Sequence, residues 1–243
     1  KCRIIFLYIM KFAIIAAGEG SRLKEEGVAA PKPLVEVGGE KLIDRLIRIF
    51  RDNGAEEIDI IINNLHPETA AHLEHLRQTG RAEDIRLVVK TTPSSMHSFF
   101  ELSPFLADAP FCLTTVDTIF REEEFADYIR RFRESALDGM MAVTDYIDDE
   151  KPLYVGTDSA LNITGFHDTD EGDRYISGGI YCLAPKAILT LRRCMDEGQS
   201  RMRNFQRALV ADGLKLKACP FSKILDVDHA EDIRKAEEFL DHQ

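Results

Sequence analysis

The apolar run Phe12-Ala13-Ile14-Ile15-Ala16-Ala17, followed at once by Gly18-Glu19-Gly20, constrains this chain more than any other feature. Six consecutive apolar residues cannot alternate between a wet and a dry face. The run therefore predicts a strand over 12–17 buried on both sides, the condition of a central strand in a parallel sheet. The glycines predict a sharp turn at its carboxyl end. They permit positive φ and remove the Cβ atoms that would keep backbone N–H groups away from phosphate oxygens. With Arg22 and Lys32 bringing charge to the same place, residues 16–34 read as an anion cradle.

Neighbouring residues discriminate among the known uses of such a loop. Gly18-Glu19-Gly20-Ser21-Arg22-Leu23 begins like a dinucleotide fingerprint, but Leu23 stands where a third glycine should let the helix pack closely. No Walker-type Gly-Lys-Ser/Thr ending follows, and the Val-Ala-Ile-Lys and Asp-Phe-Gly partners of a kinase loop are missing. Pro31-Lys32-Pro33-Leu34 narrows the choice further. Prolines on both sides of a lysine predict a stiff extended segment that presents Lys32 with little freedom to lose.

At 243 residues the chain suits one α/β domain. A domain of this size buries roughly three quarters of its unfolded surface. A net charge of −11 argues against nucleic acid or an anionic membrane as the main partner, since both reward clustered Lys and Arg. Five cysteines, at 2, 112, 182, 194 and 219, are widely spread without a CxxC pair, which suits a reducing, cytoplasmic setting. Cys112 and Cys182 lie in apolar runs and read as small core residues. Lys11 interrupts the apolar stretch from Ile4 to Ala17, and each part falls short of the ~20 residues a spanning helix needs. Lys1 to Ile9 reads as an N-terminal extension.

Periodicity predicts alternating elements: strands over 12–17, 57–63, 85–90 and 111–116, and helices over 40–53, 67–79, 95–106 and 121–136. That order implies a wound, mainly parallel sheet. After Gly139 the pattern turns strand-rich, with segments 140–146, 153–157, 161–166 and 175–183 expected as antiparallel additions. Helices over 185–196 and 200–212, strands over 214–219 and 223–227 and a final helix over 229–240 complete a Rossmann-like mixed α/β sheet. Asp117 follows the strand that ends at Val116, which puts a carboxylate at the same rim as the glycine loop. Asp228 reads as an N-cap with Glu231 as its capping-box partner. The acidic stretches 145–150 and 168–173 read as solvated loops, and His97 as a polar residue near a helix start.

The stretch Ala16 to Leu42, with Ala-Ala-Gly-Glu-Gly-Ser-Arg-Leu and Pro-Lys-Pro-Leu-Val-Glu-Val-Gly-Gly, resembles the signature of the nucleotidyltransferases that make NDP-sugars and related CDP-alcohols. Weaker similarity continues at 53–63, 111–117 and 225–232. The resemblance implies one nucleotidyltransferase domain of GT-A-like fold, with a nucleotide half over 11–137 and an acceptor half over 138–243. It implies that Ala16, Ala17, Gly18, Glu19, Gly20, Ser21 and Ser95 bind the nucleotide and that Arg22 and Lys32 are catalytic. It further implies that Asp117 and Asp228 hold Mg²⁺, and that Gly156, Ser177 and Gly179 line the acceptor pocket. Two carboxylates with waters and phosphate oxygens suit this hard cation. The partners implied are an NTP and a phosphorylated small molecule, with room for a homo-oligomer.

Two departures bear on specificity. Lys90 to Phe99 replaces the segment that reads the base in sugar-nucleotide enzymes, and its Ser-Ser-Met-His-Ser looks more like choline-phosphate cytidylyltransferase relatives. Phe166 is followed by His167-Asp168 instead of the usual Glu-Lys-Pro, so the expected acceptor lysine is missing and Arg174 or Lys223 is a candidate replacement. The expected reaction is NMP transfer to a sugar 1-phosphate. Cytidylyl transfer to a phospho-alcohol such as phosphocholine and non-catalytic nucleotide sensing are the alternatives.

Overall fold

A computed structural model describes residues 9–148 and 150–241. Its elements in chain order are β1 (Lys11–Ala16), α1 (Ser21–Glu25), a 3-10 turn (Lys32–Leu34), β2 (Glu36–Val37), β3 (Glu40–Lys41), α2 (Leu42–Asp52) and β4 (Ile58–Ile62). Next come α3 (Pro67–Gln78), β5 (Ile85–Val89), α4 (Ser95–Leu106), β6 (Phe111–Thr115), β7 (Thr118–Ile119) and α5 (Glu122–Arg133). The second half holds β8 (Gly139–Thr144), β9 (Tyr154–Thr157), β10 (Ile163–His167), β11 (Tyr175–Leu183), α6 (Ala187–Asp196) and α7 (Met202–Ala211). It ends with β12 (Leu216–Pro220), β13 (Leu225–Asp226) and α8 (Ala230–Asp241). The expected N-terminal extension lies, apart from Ile9, outside the described residues.

β1 is central, as its unbroken apolar run requires, and it pairs in parallel with β4 on one side and β6 on the other. β5 extends the parallel side beyond β4. On the other side β11 joins β6 antiparallel and carries β9 and then β10, while β8 pairs with β11 and with a parallel β12. Residues of β1 alternate between two cores: Phe12, Ile14 and Ala16 face the one under α2 and α5, and Ala13 and Ile15 face the one under α4, α6 and α7. Phe12, Phe50, Phe125 and Phe120 form a chain of ring contacts through the first core, with centroids 4.9–5.7 Å apart. The described cysteines are free and buried, and Cys112 and Cys182 face each other across β6 and β11 as core residues. Among the described residues no helix is long and apolar enough to cross a membrane.

The chain winds from β1 to β4 and β5, then returns to place β6 on β1's far side. That reversal opens a crevice at the carboxyl ends of β1 and β6, where open α/β sheets bind ligands. The glycine loop leaves one of these ends and Asp117 the other.

Asp59 of β4 is buried and receives a 3.1 Å hydrogen bond from Arg86. Burial outweighs that cation and pushes its carboxyl up to about 6 from an ordinary 3.8. A carboxyl whose folded value is raised contributes stability below its unfolded value and loses it as pH rises through the folded one. Asp59→Asn is therefore expected to gain on the parent between pH 4 and pH 8, on the order of 1–3 kcal/mol. Denaturant unfolding at both pH values checks this; an equal difference at both contradicts it.

Candidate active site

Gly20 adopts left-handed backbone, φ 63°, immediately before α1. A Cβ there would stand 3.2 Å from Lys32 Cβ, so the glycine loop packs directly on the Pro-Lys-Pro segment and a larger residue would push the two apart. Asn63, buried just after β4, pins the loop: its Nδ2 donates to the Gly18 carbonyl at 2.9 Å, and its Oδ1 accepts from the Leu65 and His66 N–H groups. Pro31 is extended as expected, but Lys32 is not. It opens the 3-10 turn, closed by Leu34 N–H to Pro31 O at 2.8 Å. Pro33 fits there because the first turn needs no N–H from it.

Lys32 bridges two carboxylates contributed from distant parts of the chain. Its Nζ lies 2.6 Å from Asp117 Oδ2 and 2.5 Å from Asp228 Oδ1, and Arg22 Nη1 reaches Asp228 Oδ2 at 3.0 Å. Burial pulls the Lys32 ammonium down, but the two carboxylates more than offset this and hold it well above its usual range. Burial raises the Asp228 carboxyl, and Lys32 and then Arg22 outweigh that to leave it lowered. Asp117 Oδ1 is buried without a hydrogen-bond partner. It is an acceptor-only atom that calls for a cation or a donor. Among the described residues no group of three or more His, Cys, Asp or Glu side chains could by itself hold a metal. The unpartnered Asp117 Oδ1 and the Asp228 carboxylate beside it are hard oxygen donors of the kind Mg²⁺ takes one or two of, together with water and phosphate oxygens.

The expected capping box is corrected in detail. The Asp228 side chain is committed to Lys32 and Arg22, and Asp232 Oδ2 accepts from the Asp228 and His229 N–H groups at 3.1 and 2.8 Å. Asp232 sits at the helical spacing that reaches back, whereas Glu231 pairs with Arg234.

Two cavities meet at Asp117. One, of about 310 Å³, runs from Ala17, Gly18, Glu19 and Gly20 past Lys32 to Ser94 and Ser95. Ser94 caps α4 by accepting from the His97 N–H and also bonds the His97 ring at 2.9 Å, which accounts for His97. The other cavity, of about 360 Å³, is lined by Ser177, Gly179, Tyr181, Gln206 and Arg201. Gly179 there has φ 72°, where β11 shifts register against β8.

Some candidates lie elsewhere. Ala16 points into the core, and Ser21 and Gly156 line neither cavity. A Cβ at Gly156 would meet the Thr164, His167 and Asp173 side chains instead. Arg22 faces a third cavity, of about 260 Å³, beyond Asp228. Arg174 pairs with Asp145, Lys223 lies 4.1 Å over the Tyr146 ring, and neither lines the second cavity. Lys151, Arg201 and Arg203 reach the second cavity in their place. Asp168, at the position of the missing lysine, carries the opposite charge and holds Arg203 at 2.5 Å and Arg207 at 2.8 Å.

The sequence profile of the nucleotidyl transferase family matches residues 11–243. The chain belongs to this family. It is similar to the bifunctional IPC transferase and DIPP synthase of Rubrobacter xylanophilus, 28% identical over 94% of this chain and 51% of that protein, so it spans about half that relative's length. It is also similar to the choline-phosphate cytidylyltransferase of Streptococcus pneumoniae, 24% identical over 96% of this chain and 100% of the relative. The solved inositol-1-phosphate CTP transferase of T. maritima shares the fold, with a TM-score of 0.77 and 19% identity over 95% of this chain and 97% of the other.

In this member of the family Arg22, Lys32, Asp117 and Asp228 come together beside the glycine loop. Sequence reasoning missed Asn63, Arg201 and Gln206. Asn63 ends a recognisable strand, and that position is the local signal for a loop anchor. Arg201 and Gln206 carry no signal of their own, since only the packing of α7 against β10 and β11 brings them to the cavity.

Proposed function

We propose that this nucleotidyltransferase transfers a cytidylyl group from CTP to the phosphate of a polyhydroxylated alcohol, a sugar or cyclitol phosphate, with release of pyrophosphate and with Mg²⁺ at Asp117 and Asp228. The observation that carries the reading is the position of Asp117. Its carboxylate, bound to Lys32 at 2.6 Å and orphaned at Oδ1, stands where the nucleotide and acceptor cavities join.

The chemistry follows from charge. An acceptor phosphate oxygen forms a bond to the α-phosphorus, the bond from that phosphorus to the bridging oxygen breaks, and the electron pair leaves on pyrophosphate. The nucleophile is already an anion, so no general base is required. Lys32, held as an ammonium, donates to the α-phosphate, and Arg22 exchanges Asp228 for the β- and γ-phosphates, both placing positive charge where negative charge spreads. Bound Mg²⁺ would supply further neutralisation of the triphosphate. In this reading Arg201, which lines the second cavity and enters no ion pair among the described residues, takes the acceptor phosphate.

The acceptor class is argued from the wall around it. Gln206, 2% exposed, accepts from Ser177 Oγ at 3.0 Å and its amide approaches the Tyr181 hydroxyl at 3.4 Å. A buried amide and two hydroxyls suit a ligand rich in hydroxyl groups. A quaternary ammonium calls for several aromatic faces, and Tyr181 is the one aromatic residue among those described on this wall. CTP and a cyclitol phosphate are also what the T. maritima neighbour's name specifies. The test is pyrophosphate release with Mg²⁺ across five NTPs, each against sugar 1-phosphates, cyclitol phosphates and phosphocholine. Release with CTP and one of the first two pools is expected. Phosphocholine as the sole acceptor would overturn the polyol assignment, and NTP binding without release in any well would favour a nucleotide sensor.

A further inference from the structure

α1 is only five residues long and buries a single side chain, Leu23, yet it carries Arg22, two residues past Gly20, to Asp228. So short a helix has little intrinsic stability. Its placement has to come from contacts it makes with the rest of the protein. Arg22 and Glu26 stand one helical turn apart, and both reach the segment that begins α8. Arg22 takes Asp228 Oδ2 at 3.0 Å. Glu26 Oε1 lies 2.6 Å from His229 Nδ1, and Glu26 Oε2 accepts from the Ala230 N–H at 2.7 Å.

We infer that Glu26, through its two-pronged grip on His229 and Ala230, is a positioning residue that yokes the nucleotide loop to the Asp228 carboxylate. The Ala230 N–H is one of the opening donors of α8 that have no partner within the helix, and Glu26 caps it from another part of the chain. An anionic side chain at that end also complements the helix dipole. With Asp232 accepting from the Asp228 and His229 N–H groups, three consecutive backbone donors around Asp228 are engaged. The carboxylate thus projects from a fixed segment. If Arg22 gives up Asp228 for the triphosphate, as the proposed mechanism requires, Glu26 is, among the described residues, the polar link that still ties α1 to α8. The His229-Ala230 pair supplies both halves of that grip: an imidazole nitrogen and an N–H that a proline would lack.

The inference rests on the proposed catalytic roles of Arg22 and Asp228, and the experiment separates failure of one from failure of the other. Glu26→Gln is expected to raise the KM for NTP and the Mg²⁺ concentration for half-maximal activity about tenfold, the scale on which groups supporting a metal ligand act. The KM for the acceptor should stay within twofold. His229→Asn removes one prong, keeps the Ala230 cap, and should give a smaller effect. Combined with Glu26→Gln it should add less than its own single effect, because both act through one contact. Hydrogen exchange of the parent and the Glu26→Gln variant, which needs no turnover, should show faster exchange confined to residues 20–30 and 226–232. Unchanged NTP and Mg²⁺ dependence in an active enzyme overturns the inference, as does a loss seen only in melting temperature and active fraction. If the parent turns over no substrate, unchanged exchange in these segments overturns it, while the faster local exchange sustains the yoke and leaves the failure with the catalytic reading.

Discussion

Replacing Lys32 with methionine is expected to lower turnover by about 10³-fold and to destabilise the protein in EDTA by about 2–4 kcal/mol. Both effects come from one ammonium. It lies 10% exposed between Asp117, 17% exposed, and Asp228, 38% exposed, so its removal leaves two nearby carboxylates without their shared countercharge. The cost of a buried charge falls heavily on the partner left behind, which makes the loss larger than the worth of a surface pair. Held above its usual range, Lys32 stays charged throughout the physiological range and has no role as a base. Mg²⁺ should therefore raise the melting temperature of the methionine variant more than that of the parent, by restoring positive charge between the carboxylates. Activity should not return with it, because the cation takes over neutralisation and leaves the α-phosphate without its donor. Thermal melts with and without Mg²⁺, beside steady-state pyrophosphate release, separate the two roles. Turnover within tenfold of the parent would remove Lys32 from the mechanism.

Legibility in the sequence followed the range of the forces involved. The helix over 95–106 and the strand over 175–183 have the expected limits, because hydrophobic period, cap and flanking turns are all local. β7 and the hairpin of β2 and β3 went unseen. Each strand is two residues long, and β7 exists only by pairing with β13 some hundred residues later. Glycine and proline exposed the loop and Lys32, since both residue types declare a backbone exception where they stand. The partner of a charge is a different matter. Nothing near Asp232 marks it as the acceptor for the Asp228 N–H in place of Glu231, and nothing near Arg201 says that it reaches a cavity while Arg174 is spent on Asp145. Those choices depend on which loops the sheet order brings together, a long-range outcome that periodicity does not encode.

Asp117→Asn should separate chemistry from binding more cleanly than any other single change. Asparagine keeps the shape and an oxygen for Lys32 but removes the negative charge. Either its oxygen or its amide group must take the buried Oδ1 position that has no protein partner. Turnover is expected to fall 10²- to 10⁴-fold, the range for losing a group that stabilises charge in the transition state directly or by holding a metal. NTP affinity should weaken about tenfold or less. The glycine loop is built from backbone between β1 and α1 and is held by Asn63, whereas the Asp117 side chain is bonded to Lys32. Stability should change little by comparison, since loss of a charge that is costly to bury offsets loss of the ion pair with Lys32. A large gap between retained binding and lost turnover is the behaviour of an enzyme whose Asp117 acts at the α-phosphate. A protein that only senses nucleotide has no turnover to lose. Calorimetric titration of CTP beside pyrophosphate release reads both quantities on one preparation. If the variant turns over within fivefold of the parent, the carboxylate that joins the two cavities is not the metal-holding group, and Asp228 alone would have to carry that role.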